Sequence, residues 1–271
     1  MYHALVEHPA PYLAAVHIEW ARFAEQMAWL AASGLRVRPL AEALAALRQP
    51  GGAGPAPLVA LTFDDGYHSL YTHARPILAQ YGFAASLFLT VGAVGQPSYD
   101  GEPAEFARSA PRGDRPLTWA ELRELQATGW AIEAHGCTHR PLAGLAPADV
   151  AQELSQSRAA IAHQLGQEAQ YYAFPYGSYD RRTLRALAGA GYAAGLSVHT
   201  GPATPASDWR RLPRLEVTAG CDLATFQQLV RTGYASPGAH YRARLRDWAY
   251  RVPAVHDALL AVPKKLRGLR S

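Results

Sequence analysis

Apolar residues fall in two periods along the chain. Short runs, "LVALTF" (58–63), "AASLFL" (84–89), "WAIEA" (130–134), "YYAF" (171–174), "YAAGLSV" (192–198) and "LEV" (215–217), are bounded by turn residues and predict buried strands. "YHAL" near the start predicts a first strand, and "SGLRVRPL" a turn and a short strand. Between the runs, apolar positions return every three or four residues. Phe23, Met27, Leu30 and Ala31 share one helical face; so do Leu70, Ala74, Ile77, Leu78 and Tyr81, and then Val150, Leu154, Ile161 and Leu165. Thr118 with Glu121 forms a capping box that opens a helix to about Ala127. Pro147 suits a first helical residue, and Gly191 stands just past a helix expected from about Asp180 to Ala190. A last helix is expected over 223–233. "GGAGPAP" (51–57) and the Gly-, Pro- and charge-rich segment 92–116 predict loops.

Strands alternating with helices predict an α/β fold with a parallel sheet and helices outside. The number of units suits a distorted (β/α) barrel of about seven parallel strands. An open doubly wound sheet is the alternative, although no Gly-rich phosphate loop follows the first strands. In a barrel, function gathers at the carboxyl ends of strands. Four such ends carry polar or unusual residues: His3, Asp64 with Asp65, His135, and Pro175 with Tyr176.

Composition narrows the class. Of 271 residues, 49% are apolar and 18% charged, which is globular and not disordered. No run reaches the ~18 apolar residues of a membrane span, and "MYHALVEHPA" has no basic region followed by an apolar stretch, so no signal peptide is expected in the sequence as written. The expectation is a cytoplasmic protein. Two cysteines, Cys137 and Cys221, exclude a disulfide framework. The net charge of +4 is uneven: eight Lys or Arg and two Asp between Tyr241 and Ser271 give that segment +6, leaving −2 for residues 1–240. The main body therefore has no basic footprint for nucleic acid. We expect a catalytic domain over 1–237 and a basic tail over 238–271. Tyr241, Trp248 and Tyr250 lie among the arginines of the tail. They suit a peripheral contact with an anionic membrane surface or a protein partner, one that weakens as salt rises. A solvated terminal segment is the other reading.

"LTFDDG" raises a question of cost. Adjacent carboxylates repel, and a fold gains little by placing both at the mouth of its core. "HGCTH" supplies an answer. His135 and His139 are four apart, so both imidazoles can face one cation; with one carboxylate they make a common divalent-metal set with open positions. Asp65 is the natural third ligand, which frees Asp64 to act as a base. Two histidines in a loop are also compatible with a plain surface, and Cys137 is either a thiolate ligand or a small residue filling a turn.

"TFDDG" (62–66), "HGCTH" (135–139) and "FPYG" (174–177), in that order, resemble the signature motifs of the polysaccharide deacetylases, the NodB-homology or carbohydrate esterase family 4 group. The similarity extends over roughly residues 1–235. "MYH", "FPYG" and "LPRLEV" are closest to the poly-N-acetylglucosamine deacetylase branch. The resemblance implies a divalent metal, zinc foremost, and hydrolysis of N-acetyl groups on an N-acetylated oligo- or polysaccharide. It implies Asp64 as base, the backbone N–H of Tyr176 as an oxyanion donor and His3 as the acid for the leaving amine. Many members carry an Arg two residues before the motif proline, where this chain has Ala173; Arg214 resembles the residue that fills that role in the branch, with Arg211 as the alternative. The family's Leu-x-His has no clear counterpart, and His199 lies in what should be a variable loop. Asp208-Trp209 faintly echoes another family motif. Two other functions stay open: a hydrolase of a different small amide or imine on the same fold, and an inactive saccharide-binding module. A binding module needs no base beside a cation, and Asp64, Asp65, His135 and His139 together speak against it.

Overall fold

The computed structural model describes residues 1–10, 13, 16–49, 57–99, 111, 114–236 and 238. The basic tail beyond Gly238, with Tyr241, Trp248 and Tyr250, lies outside the described residues, as do 51–56 of the predicted loop. In chain order the elements are β1 (Ala4–Val6), β2 (His17–Glu19), α1 (Trp20–Ala32), β3 (Arg36–Val37), α2 (Leu40–Arg48), β4 (Leu58–Val59), β5 (Leu61–Asp65), a π-helical turn (Leu70–Ala74) running into α3 (Arg75–Ala79), and β6 (Ala85–Leu89). They continue with α4 (Trp119–Ala127), β7 (Ala131–Ala134), α5 (Pro147–Leu165), β8 (Tyr171–Ala173), α6 (Arg181–Gly189), β9 (Ala194–Thr200), β10 (Leu212–Arg214) and α7 (Leu223–Thr232).

Six strands pair in parallel in the order β10-β9-β8-β7-β6-β5 and curl into a half-barrel, as the alternating pattern predicts. The seventh place is filled by Met1 and Tyr2. Tyr2 bridges Phe63, donating its N–H to Thr62 O (2.9 Å) and accepting from Asp64 N–H (3.0 Å). On its other side Met1 O accepts from Val217 N–H (3.1 Å), and the Met1 amino group donates to Leu215 O (2.7 Å). This segment spans the gap between the two sheet edges, β5 and β10.

Strand alternation sorts side chains into two cores. Phe63, Leu87, Leu89, Ile132, Ala134 and Tyr172 face outward, under Phe23, Met27 and Leu30 of α1, Leu122 and Leu125 of α4, and Val150, Leu154 and Ile161 of α5. Phe88, Tyr171, Ala173, Ala194, Leu196 and Leu212 face inward and are covered by Leu40 and Leu44 of α2. Each fully buried Leu or Phe contributes roughly 1.5–3 kcal/mol, so both faces are needed to hold the sheet. The inward face ends upward in polar groups, and those form the site.

Three local expectations change. The capping box at Thr118, the proline start at Pro147 and the short strand expected within 33–40 are present, but α2 follows that strand where no element was expected. Its signal was Leu40, Leu44 and Leu47 at helical spacing inside an Ala-rich stretch. The last strand is Leu212–Arg214, upstream of "LEV": Pro213 has no N–H, which an edge strand tolerates, while Leu215 and Val217 bond instead to Met1. The helix expected over 70–81 opens as a π turn, because Pro76 has no N–H to give an α ladder. Among the described residues, no helix is long and apolar enough to cross a membrane.

Candidate metal and catalytic site

Strand β5 delivers Asp64 and Asp65 to the mouth of the half-barrel and then turns sharply. Asp65 has φ 76° and Gly66 φ 101°. A Cβ on Gly66 would come within 2.7 Å of the Leu89 side chain, so the turn needs glycine there. The turn sends the two neighbouring carboxylates to different partners, which answers the repulsion between them.

Asp64 meets Arg214 of β10 in a two-pronged ion pair, Nη1 to Oδ1 and Nη2 to Oδ2, each 2.7 Å. Arg214 Nε donates to Ser197 O at 3.1 Å, and the guanidinium lies over the Phe88 ring at 5.4 Å. Both side chains are buried. Burial opposes ionisation of Asp64, but Arg214, then His135 and His3, outweigh it and hold the carboxyl below its usual range. His3 Nε2 stands 4.0 Å from Asp64 Oδ2, with 12% of its side chain exposed.

Asp65 faces the two histidines. His135, just past β7, lies with Nδ1 2.8 Å from the Ala173 carbonyl. A carbonyl only accepts, so Nδ1 carries the proton and Nε2 keeps its lone pair. That Nε2 is 3.4 Å from Asp65 Oδ1, and His139 Nε2 is 3.1 Å from the same oxygen. His139 Nδ1 lies 3.0 Å from the Tyr176 hydroxyl. The three ligand atoms sit within 4.8 Å of one another, and all three residues are buried. Asp65 Oδ1 is fully buried and accepts no well-formed hydrogen bond. An anionic oxygen shut away from water and facing the His135 lone pair is costly unless a positive charge joins them. Two imidazole nitrogens and one carboxylate oxygen fit a divalent transition metal with open positions. Without the ion, burial disfavours charge on His135, but Asp65 and Asp64 raise its pKa; on His139 burial prevails and lowers it.

Backbone strain marks the same place. The non-glycine residues with positive φ among the described residues are Asp65, His139 (φ 54°) and Tyr176 (φ 56°). Each costs of order 1–3 kcal/mol and persists only where the surroundings hold it. All three belong to one cluster: the Tyr176 ring packs edge-on against His139 at 4.6 Å and is 40% exposed at the surface of the cleft.

The structure thus brings together Asp64, Asp65, His3, His135, His139, Tyr176 and Arg214. Other candidates go elsewhere. Arg211 pairs with Asp208 (3.2 Å), and Trp209 lies under the Arg48 guanidinium (4.0 Å). His199 Nε2 meets the Tyr179 hydroxyl at 3.2 Å. Cys137 is outside the ligand triad; burial, then Glu153, pushes its thiol up to about 12. Three participants escaped the sequence: the Ala173 carbonyl, the Tyr176 hydroxyl and Glu153, whose Oε2 accepts from the Cys137 and Thr138 N–H groups. Only Glu153 left a trace, as an acidic residue on the apolar stripe of α5, one position before Leu154.

A curled parallel sheet with helices outside and a buried Asp-His-His cluster at the carboxyl ends of its strands places the chain in the (β/α)-barrel class of α/β proteins. Within that class the family is shown directly. The family model for polysaccharide deacetylase matches residues 51–195, more than half of the chain. The chain belongs to that family. It is 28% identical over 204 residues to Bacillus subtilis (strain 168) YxkH, whose name assigns it provisionally to the polysaccharide deacetylases; the match covers 75% of this chain and 67% of that one. It is 26% identical over 213 residues to the poly-beta-1,6-N-acetyl-D-glucosamine N-deacetylase of Staphylococcus aureus (strain MSSA476), covering 74% of this chain and 68% of that one. In fold it is similar to the Streptococcus pyogenes deacetylase PplD in complex with acetate: TM-score 0.73, 24% identity, 85% of this chain and 96% of that one.

The Arg214–Asp64 pair generates a stability prediction. Arg214→Met leaves a buried carboxylate unpaired and should cost about 3–5 kcal/mol. Asp64→Leu added to it removes the orphaned charge and should recover a large part of that loss. Denaturant unfolding of the native chain, the single and the double variant reads both. A double variant no more stable than Arg214→Met would show that the pair is not what the single change disrupts.

Proposed function

We propose that the chain is a metal-dependent hydrolase that removes N-acetyl groups from an N-acetylated saccharide, with poly-N-acetylglucosamine-like polymers as the substrate class. The observation that carries this reading is the separation of two adjacent buried carboxylates, one onto an arginine and one onto two histidines. Asp65, His135 and His139 would hold the cation. A divalent ion there supplies Lewis acidity to an amide carbonyl and makes a water molecule acidic near neutral pH.

The chain's own groups account for the remaining chemistry. Asp64 is held ionised by Arg214 and aimed by its two hydrogen bonds, so it can take the proton of the attacking water. The backbone N–H of Tyr176, in its left-handed conformation, matches the family's donor to the developing oxyanion. His3, with Nε2 4.0 Å from Asp64 Oδ2, can return a proton to the departing sugar amine. The exposed Tyr176 ring offers a face to the substrate at the cleft surface.

His135→Ala should lose most bound metal and nearly all acetate release from N-acetylglucosamine oligomers. Asp64→Asn should keep its metal while turnover falls by about 10²–10⁴-fold. Elemental analysis alongside an acetate assay separates the two roles; full metal occupancy in His135→Ala, or metal loss in Asp64→Asn, would show them misassigned. A metal-loaded native chain that releases no acetate from any N-acetylated glycan, yet cleaves small amides, would redirect the substrate class.

His3 has its own test. His3→Ala should slow amide hydrolysis more than hydrolysis of an activated aryl acetate, because a phenolate departs without a proton. Equal losses on both substrates would remove His3 from the acid role.

A further inference from the structure

The loop that carries the chain from His135 to His139 is held from two sides. Its carbonyls face the turn after β6: Gly136 O accepts from Val91 N–H (3.1 Å) and Cys137 O from Gly92 N–H (2.9 Å). Its amides face α5. Cys137 N–H and Thr138 N–H both donate to Glu153 Oε2, at 2.6 and 3.1 Å, and the Thr138 hydroxyl donates to Oε1. Arg140 Nη2 approaches the same Oε1 at 3.6 Å. The Glu153 side chain is only 3% exposed. A buried carboxylate is costly unless its lone pairs are used, and here they are used on one short stretch of backbone.

The fit is close. Gly136 has φ 85°, and a Cβ there would come within 2.9 Å of both Glu153 Oε2 and the Tyr172 hydroxyl. Two successive N–H groups reach one oxygen only when both peptide planes are turned toward it. Glu153 and the Val91–Gly92 amides therefore grip the same two peptide units from opposite sides. The chain leaves that grip into His139, with its positive φ, and His139 Nε2 arrives 3.1 Å from Asp65.

We propose that Glu153 is the positioning residue of the ligand loop: its carboxylate shapes residues 136–138 so that His135 and His139 face Asp65 before a cation binds. This rests on the metal-site reading above. Groups that orient ligands from behind typically change metal affinity about 10–100-fold when removed. The hydrogen bonds, and not the charge, do the positioning. A glutamine can accept both amides with its oxygen and donate to the Thr138 oxygen with its NH2 group. A methionine of the same length fills the space and accepts neither amide.

The test compares Glu153→Met, Glu153→Gln and Thr138→Val with the native full chain. It measures zinc affinity by chelator competition and amide hydrogen exchange at Cys137 and Thr138 in metal-free protein. The methionine variant should bind zinc ~10–100-fold more weakly and lose protection at both amides. The glutamine variant should keep affinity and protection close to native. Thr138→Val, at an exposed position, should weaken zinc severalfold. Native-like zinc affinity in the methionine variant overturns the proposal, and so does a glutamine variant as weak as the methionine one. If the methionine variant does not fold, unchanged affinity and exchange in Thr138→Val overturn it. A native chain that binds no zinc while both amides are protected overturns the metal-site reading itself; a native chain that binds zinc no tighter than the methionine variant overturns only the role of Glu153.

Discussion

The salt bridge between Asp64 and Arg214 joins the two edges of the sheet. Asp64 is the penultimate residue of β5, Arg214 ends β10, and 150 residues separate them in sequence. Met1 and Tyr2 close the same gap with main-chain hydrogen bonds. The bridge adds a buried side-chain ion pair. Burying two ions costs several kcal/mol each before their attraction repays it, so such a pair is a poor route to stability for its own sake. It secures an ionised carboxylate, fixed in orientation by two hydrogen bonds, at the mouth of a half-barrel. That is the state the proposed general-base role requires.

The second carboxylate depends on the first being occupied. With Asp64 committed to Arg214, Asp65 is turned by its positive φ toward His135 and His139. Strain at Asp65, His139 and Tyr176 is tolerated because each is fixed by neighbours: the paired strands beneath Asp65, the gripped loop before His139, and the Pro175–Gly177 turn around Tyr176. The rigid inner face, with Phe88, Ala173 and Leu196 under α2, supplies the platform on which these few unfavourable conformations can stand.

Local chemistry was legible in the sequence; long-range pairing was not. "TFDDG" and "HGCTH" each bring their residues together within one turn of chain, so the Asp65, His135 and His139 grouping follows from two short motifs. The parallel half-barrel is written in alternating periods. Choosing between Arg211 and Arg214 was harder, because the two lie three apart and only Arg214 falls within β10, Arg211 standing just before it. The choice requires the bounds of β10, and the run "LEV" pointed past them. Helix α2 was hidden in an Ala-rich stretch whose only apolar marks are three leucines. The Ala173 carbonyl and the Tyr176 hydroxyl orient the two imidazoles from residues 38 and 37 positions away, across a strand crossover that no local pattern encodes.

The claim on which the rest turns is that two neighbouring aspartates hold different partners. A crystal structure of the full chain grown with zinc, with the ion located by anomalous scattering, tests it directly. The ion should lie about 2.0–2.2 Å from one oxygen of Asp65 and from Nε2 of both His135 and His139, with Asp64 still doubly bonded to Arg214. An ion coordinated by Asp64, or one bound away from the two histidines, would contradict it.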